Sequence, residues 1–337
     1  MLLDLTHLKV VENCQLFHPL FMHFAANFSD KSYAEFAQNY KVFAESNIKC
    51  LEYFNHDCVS LISDPVREAS AFGGDVIYPN ENPPYLKAPF IKSIDDVKAL
   101  KNPDIYKSER TLDRLKAARL LHKELQGKIP LCGWAEGPLA EACDVAGVSE
   151  ILLKLSMEPE FVKRLMEKCL ITAKQFAKAQ IEEGCVMVGI GDAICSQISP
   201  KMYSEFVLPL HQELFSYIKS MGAIVKIHIC GNITHLLPHI IKASPDIIDI
   251  DWMVNAEEAF NVVGEDIILT GNLNPVADIM YKTEQEVFDS SKNLIQQSKG
   301  QKLILSGGCE IPAKTPPENI KAMKRAIMEA GRKYTKT

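Results

Sequence analysis

At 337 residues, 47% of them hydrophobic, the chain can bury one large core and falls within the size range of single α/β barrels. A formal net charge of −6 without a basic run argues against a nucleic-acid surface. Ten cysteines at irregular spacings, with no C-x-x-C pair, exclude a disulfide-framed secreted fold and leave most of them as reduced, buried thiols.

The opening stretch "MLLDLTHLKVVENC" lacks the pattern of a secretion leader, and no window approaches eighteen uninterrupted apolar residues. The expectation is a cytoplasmic protein with no membrane span, whose partners are small molecules or other proteins. In residues 1–57 apolar positions recur at helical spacing, with Tyr33, Phe36, Tyr40 and Phe43 on one face. This predicts an N-terminal helical layer.

Short β-branched runs follow, each ending in Gly, Asp, Asn or Pro: "CVSLISD", "KIPLCGWAEGP", "CVMVGIGD", "AIVKIHICGN", "DIIDIDWM", "DIILTGNLNP" and "KLILSGGCEIP". Their length and composition predict buried parallel strands. Helical patterns such as "MYSEFVLPLHQELFSYIKSMG" separate them. Seven strands alternating with helices, and an eighth expected within residues 65–110, predict a (β/α)8 TIM barrel that spans residues 1–337 as one domain. An open doubly wound sheet is the alternative, although no glycine-rich fingerprint opens the first strand-helix unit.

Barrel chemistry gathers where strands end. The candidates are therefore Asp64, Glu136, Asp192, His228, Cys230, Asp249, Asp251, Asn272, Cys309 and Glu310. His228 and Cys230, in H-x-C spacing on one strand, point to the same side. They could grip one ion together, or be a hydrogen-bonded core histidine and an inert buried thiol. Cys309 follows another strand and two glycines. In a closed barrel it can join them around one zinc, a His, Cys, Cys set with the fourth position open, as catalytic sites have it. His235 and His239 straddle Pro238 without an intervening glutamate and read as a helix start with histidines on its surface or packing face, while His211 reads as helix packing rather than a ligand. Asp192 could orient a substrate, act in proton transfer, or cap the following turn. Asp249 and Asp251 share one side of their strand, so at least one should face the mouth.

The stretches "HICGN", "GNLNP" and "GGCEIPAKTPPENIKAM" resemble the uroporphyrinogen decarboxylase superfamily, and within it the zinc-dependent, corrinoid-linked methyltransferase branch. The branch's H-x-C and distant C motif maps onto His228, Cys230 and Cys309 as zinc ligands. The decarboxylases carry an arginine-rich N-terminal segment that holds the acetate and propionate groups of a tetrapyrrole. The corresponding "VVENCQLFHPLFMHFAANFSD" has no arginine, which argues against decarboxylation.

The resemblance implies methyl transfer between a corrinoid, as cobalamin or on a small corrinoid-binding protein, and a small thiol or an O- or N-methylated substrate. Zn2+ is the implied metal, and Asp192, Asp251 and Glu310 are the carboxylates expected to handle protons or align the substrate. A tetrapyrrole decarboxylase and a non-catalytic barrel that binds corrinoid or zinc are the alternatives.

Overall fold

The computed structural model describes residues 15–334, so residues 1–14 of the expected helical layer lie outside the described residues. Eight parallel strands follow one another: β1 Gln15–Phe17, β2 Val59–Ser60, β3 Leu131–Glu136, β4 Met187–Gly191, β5 Ile224–Ile229, β6 Ile247–Ile250, β7 Ile268–Leu273 and β8 Leu303–Gly307. Each of β2 to β8 pairs with its neighbour in chain order, and β1 pairs with β8. A sheet that curls so that its first strand meets its last is a (β/α)8 barrel, and this order excludes the open doubly wound alternative.

The seam between β1 and β2 is closed by side chains and strand-end backbone. The Asp57 N–H donates to the Phe17 carbonyl at 2.8 Å, and the Phe17 N–H donates to the Asp57 carboxylate at 2.7 Å. One layer further, the Ser60 hydroxyl and His18 Nε2 lie 2.9 Å apart.

The helical layer is present as His23–Phe28, Tyr33–Gln38 and Tyr40–Phe54, with Tyr33, Phe36 and Phe43 fully buried. Ser32 starts the second of these with a reciprocal capping box to Glu35. One expectation is corrected. The eighth strand is β1, inside the segment read as helical, whereas the strands within residues 65–110 are those of a short antiparallel hairpin, Val76–Ile77 with Tyr85–Leu86, outside the barrel. Three residues are too few to show a period of two, and helical spacing on both sides hides them.

Register sets the level of the site. Glu136 pairs with Gly191, Gly191 with His228, His228 with Asp249, and Asp249 with Thr270. These residues form one layer at the C-terminal end of the barrel, the end that carries catalytic groups in this fold. Gly189 is required below this layer: a Cβ there would lie 2.4 Å from the Trp134 ring, which crosses β4 toward His228. The two ring centroids are 6.2 Å apart.

Candidate metal centre

His228 occupies the penultimate position of β5, and Cys230 lies just beyond the strand on the same side. His228 Nε2 is 3.1 Å from Cys230 Sγ, and Cys230 Sγ is 3.9 Å from Cys309 Sγ. The nitrogen and both sulfurs all lie within 4.8 Å of one another.

Cys309 arrives through a tight turn after β8. The Gly308 N–H donates to the Leu273 carbonyl at 2.8 Å. A Cβ on Gly308 would lie 2.2 Å from the Trp252 nitrogen and 2.9 Å from the Asp251 carbonyl carbon, so only glycine lets this turn lie against the end of β6.

The electrostatics of the three groups are joined. A shared hydrogen bond draws the Cys309 thiol down to about 4 and raises that of Cys230. Burial works against a charge on His228, but Cys230 and then Asp249 outweigh it and raise its pKa. His228 Nδ1 is buried without a hydrogen-bond partner and faces Asp249 Oδ2 at 3.6 Å, just beyond bonding reach. The same oxygen lies 2.6 Å from Lys226 Nζ. Against the effect of burial, Lys226 and then His228 hold the Asp249 carboxyl well below the usual carboxylate range.

The donor set fits zinc. Two sulfurs bound at ~2.3 Å in a tetrahedron stand ~3.8 Å apart, close to the 3.9 Å found here. The 3.1 Å between His228 Nε2 and Cys230 Sγ must lengthen by a few tenths of an ångström. The imidazole has one nitrogen toward the sulfurs and the other toward a carboxylate, the arrangement that fixes the tautomer of a ligating histidine.

The carboxylates named from the sequence have diverged. Asp251 Oδ2 accepts the Gly231 N–H at 2.6 Å, bracing the loop behind Cys230, and its Oδ1 is buried without a partner. Glu310 is half-buried; burial and then the adjacent Cys309 push its carboxyl up to about 8, against the His23 N–H that it accepts. Asp192 is fully buried. It accepts the Ala140 N–H at 2.7 Å, the more distant Leu139 N–H at 3.4 Å, and lies 2.9 Å from His211 Nε2. It thus anchors the N-terminus of helix Pro138–Ala146 rather than presenting a free oxygen to the mouth.

Cys195 lies beside Asp192 and His211, but the Tyr203 hydroxyl 2.9 Å from His211 Nδ1 completes a hydrogen-bonded group there. His235 and His239 sit apart from the sulfurs, His235 Nε2 near the Ile198 carbonyl and His239 Nδ1 near the Ser204 hydroxyl.

Glu136 belongs to a buried acidic group around Arg67, whose Nη2 lies 3.2 Å from Glu136 Oε1. Glu68 accepts the Glu136 N–H at 2.9 Å, and both Glu141 oxygens and Asp144 Oδ2 are buried without partners. Burial pushes the Glu136 and Glu141 carboxyls well up, and raises that of Asp144 to about 8. Asp64 is paired with Arg110. Lys226 and Arg67 are not among the residues read from the sequence; a lysine inside the apolar run "AIVKIHICGN" is the signal that could have found the first.

The family model for uroporphyrinogen decarboxylase matches residues 20–330. This chain belongs to that family. Relatives within the family carry two different names. A uroporphyrinogen decarboxylase from Carboxydothermus hydrogenoformans is 28% identical over 305 residues, 88% of this chain and 85% of its own. The methylcobamide:CoM methyltransferase MtbA of Methanosarcina acetivorans is also 28% identical, over 274 residues, 79% of this chain and 78% of its own. Among solved structures, a methyltransferase from Methanosarcina mazei superposes with a TM-score of 0.88 at 18% identity, covering 95% of each chain, which establishes the shared barrel. No helix among the described residues is long and apolar enough to cross a membrane.

Proposed function

We propose that this chain is a zinc-dependent methyltransferase that moves a methyl group between a corrinoid and a small thiol, or takes it from an O- or N-methylated substrate. The observation that carries the reading is the convergence of His228 Nε2, Cys230 Sγ and Cys309 Sγ at one point in the barrel mouth. Three protein ligands leave a fourth position for substrate. Zinc bound there would lower the pKa of an incoming thiol while the electron-rich sulfur ligands keep it nucleophilic.

The rest is done by the chain itself. Asp249 backs the imidazole, and Asp251 braces the Gly231 loop. Glu310, beside Cys309, is the group we assign to receiving the thiol proton in its ionised form, which a carboxyl raised to about 8 reaches toward mildly alkaline pH. Asp192 is assigned to positioning, since its carboxylate is committed to helix 138–146 and His211. Trp252 and Met253, both exposed, follow the end of β6, and Trp252 lies against the Gly308 turn that leads to Cys309, giving the mouth an apolar rim there. That rim supports a small corrinoid-binding protein as the partner.

The decarboxylase reading is weakened by the arginines. The first in the chain is Arg67, and it is buried against Glu68 and Glu136. Arg110 and Arg114, also buried, pair with Asp64 and Asp113. Each of these three is committed to a buried carboxylate partner rather than offered to a propionate.

The test is to load the protein with zinc and mix it with methylcobalamin and a panel of small thiols, following the loss of cobalt-carbon absorbance. Transfer that disappears on zinc removal and returns on re-addition is the expected outcome. No transfer to any thiol, no demethylation of methyl ethers or methylamines with a reduced corrinoid, and turnover of uroporphyrinogen without metal would overturn the assignment.

A further inference from the structure

A lysine in the middle of a buried strand requires a partner, because an unpaired ammonium taken out of water costs several kcal/mol. Lys226 stands two residues before His228 on β5, so both side chains enter the barrel on the same side, the lysine one layer deeper. It is 1% exposed. Its Nζ lies 2.6 Å from Asp249 Oδ2, and that oxygen is also the one facing His228 Nδ1 at 3.6 Å. His228 Nδ1 has no hydrogen-bond partner within reach, while Nε2 is turned toward Cys230 Sγ. Ammonium, carboxylate, imidazole and sulfur thus form one chain of contacts from the barrel interior to its mouth.

We propose that Lys226 is a positioning residue for the metal centre and acts through Asp249. The ammonium holds the carboxylate in one rotamer, and the carboxylate in turn fixes the plane of the imidazole with Nε2 aimed at the ion. This rests on the zinc reading above. Lys226 touches neither ion nor substrate. Without it, Asp249 keeps an uncompensated charge in the interior and loses the contact that fixes its direction, so the acceptor behind His228 is no longer set. Without Asp249, the same support is gone and Lys226 is left unpaired. The two substitutions damage one device, so their effects on the metal do not add.

The experiment measures zinc affinity by competition with a chromophoric chelator for the full chain and for K226M, D249N, K226R and the K226M/D249N double variant. The absorption spectrum of each Co2+-loaded protein and its metal-free unfolding are recorded beside it. Each single neutral substitution is expected to weaken zinc binding by about 10- to 100-fold and to shift the Co2+ bands. The double variant is expected to be no weaker than the worse single, and K226R to retain most of the affinity. A folded K226M with wild-type zinc affinity and Co2+ spectrum overturns the proposal, even where its unfolding temperature falls. Should K226M fail to fold, the charge-neutral double variant decides: wild-type affinity there overturns the proposal equally. A wild-type protein that binds no zinc removes the site itself, an outcome distinct from any difference among the variants.

Discussion

Cys230 Sγ and Cys309 Sγ lie 3.9 Å apart although 79 positions separate the two residues in the chain. One follows β5 and the other β8, so only barrel closure brings them together. With His228 they are expected to bind one zinc per chain. Elemental analysis of C230S and C309S should show both largely without zinc. Full retention of zinc in both variants would remove the site.

The turn that delivers Cys309 gives a second test. In G308A the new methyl would sit 2.2 Å from the Trp252 backbone nitrogen, and backbone cannot swing aside as a flexible side chain does. The turn has to move and take Cys309 with it. The expected result is a loss of about 1–3 kcal/mol in stability together with weaker zinc binding than wild type, read by urea unfolding and chelator competition. Unchanged zinc affinity would show that Cys309 tolerates the displacement.

Asp192 separates framework from mouth. Replacing it with asparagine sets an amide N–H2 group against the donors Ala140 N–H and His211 Nε2, and one of these contacts is lost. The cost expected is about 1–3 kcal/mol, with zinc per folded chain near normal and methyl transfer slowed through the shifted helix 138–146. Chemical denaturation and metal analysis check the first two. A variant as stable as wild type would mean that the buried contacts carry no weight.

Asp144 predicts a pH dependence. Its carboxyl is raised to about 8 by burial first, then by Glu68 and Asp64, with Arg67 opposing and Asp192 adding to the rise. A carboxyl that titrates higher in the folded than in the unfolded chain keeps its proton while the unfolded chain loses one. Folding stability therefore falls as pH rises from about 4, the unfolded value, toward the folded value, and is fully present only below that window. D144N removes the group. It is expected to be more stable than wild type at pH 8, with the advantage shrinking toward pH 4, as seen in paired thermal unfolding curves. A constant difference across that range would exclude titration of Asp144 as its source.

Much of the barrel was legible because buried strands declare themselves locally. Seven apolar runs of the right length, each ending in a turn residue, all became barrel strands. The exception, β1 at Gln15–Phe17, is three residues long and sits among helical spacing, so nothing local distinguished it; its strand character comes from pairing with β8. In the site, the spacing of His228 and Cys230 was enough to put both side chains on one side of a strand. It could not say that Lys226, two positions earlier, would meet Asp249, because that contact depends on the register between β5 and β6.

The sequence by itself determined which residues lie at strand ends and which of them share a face, since both follow from the period-two alternation of a strand and the chemistry of its turn. Only the tertiary structure decided partnership. Asp192, Asp251 and Glu310 look alike in the sequence, each an acid just past a strand. In the fold Asp192 is bound into a helix N-terminus, Asp251 braces the Gly231 loop, and Glu310 stays beside Cys309. The physical reason is that a carboxylate's role is set by the donors that reach it, and here these come from backbone and side chains far along the chain, placed by the closing of the barrel.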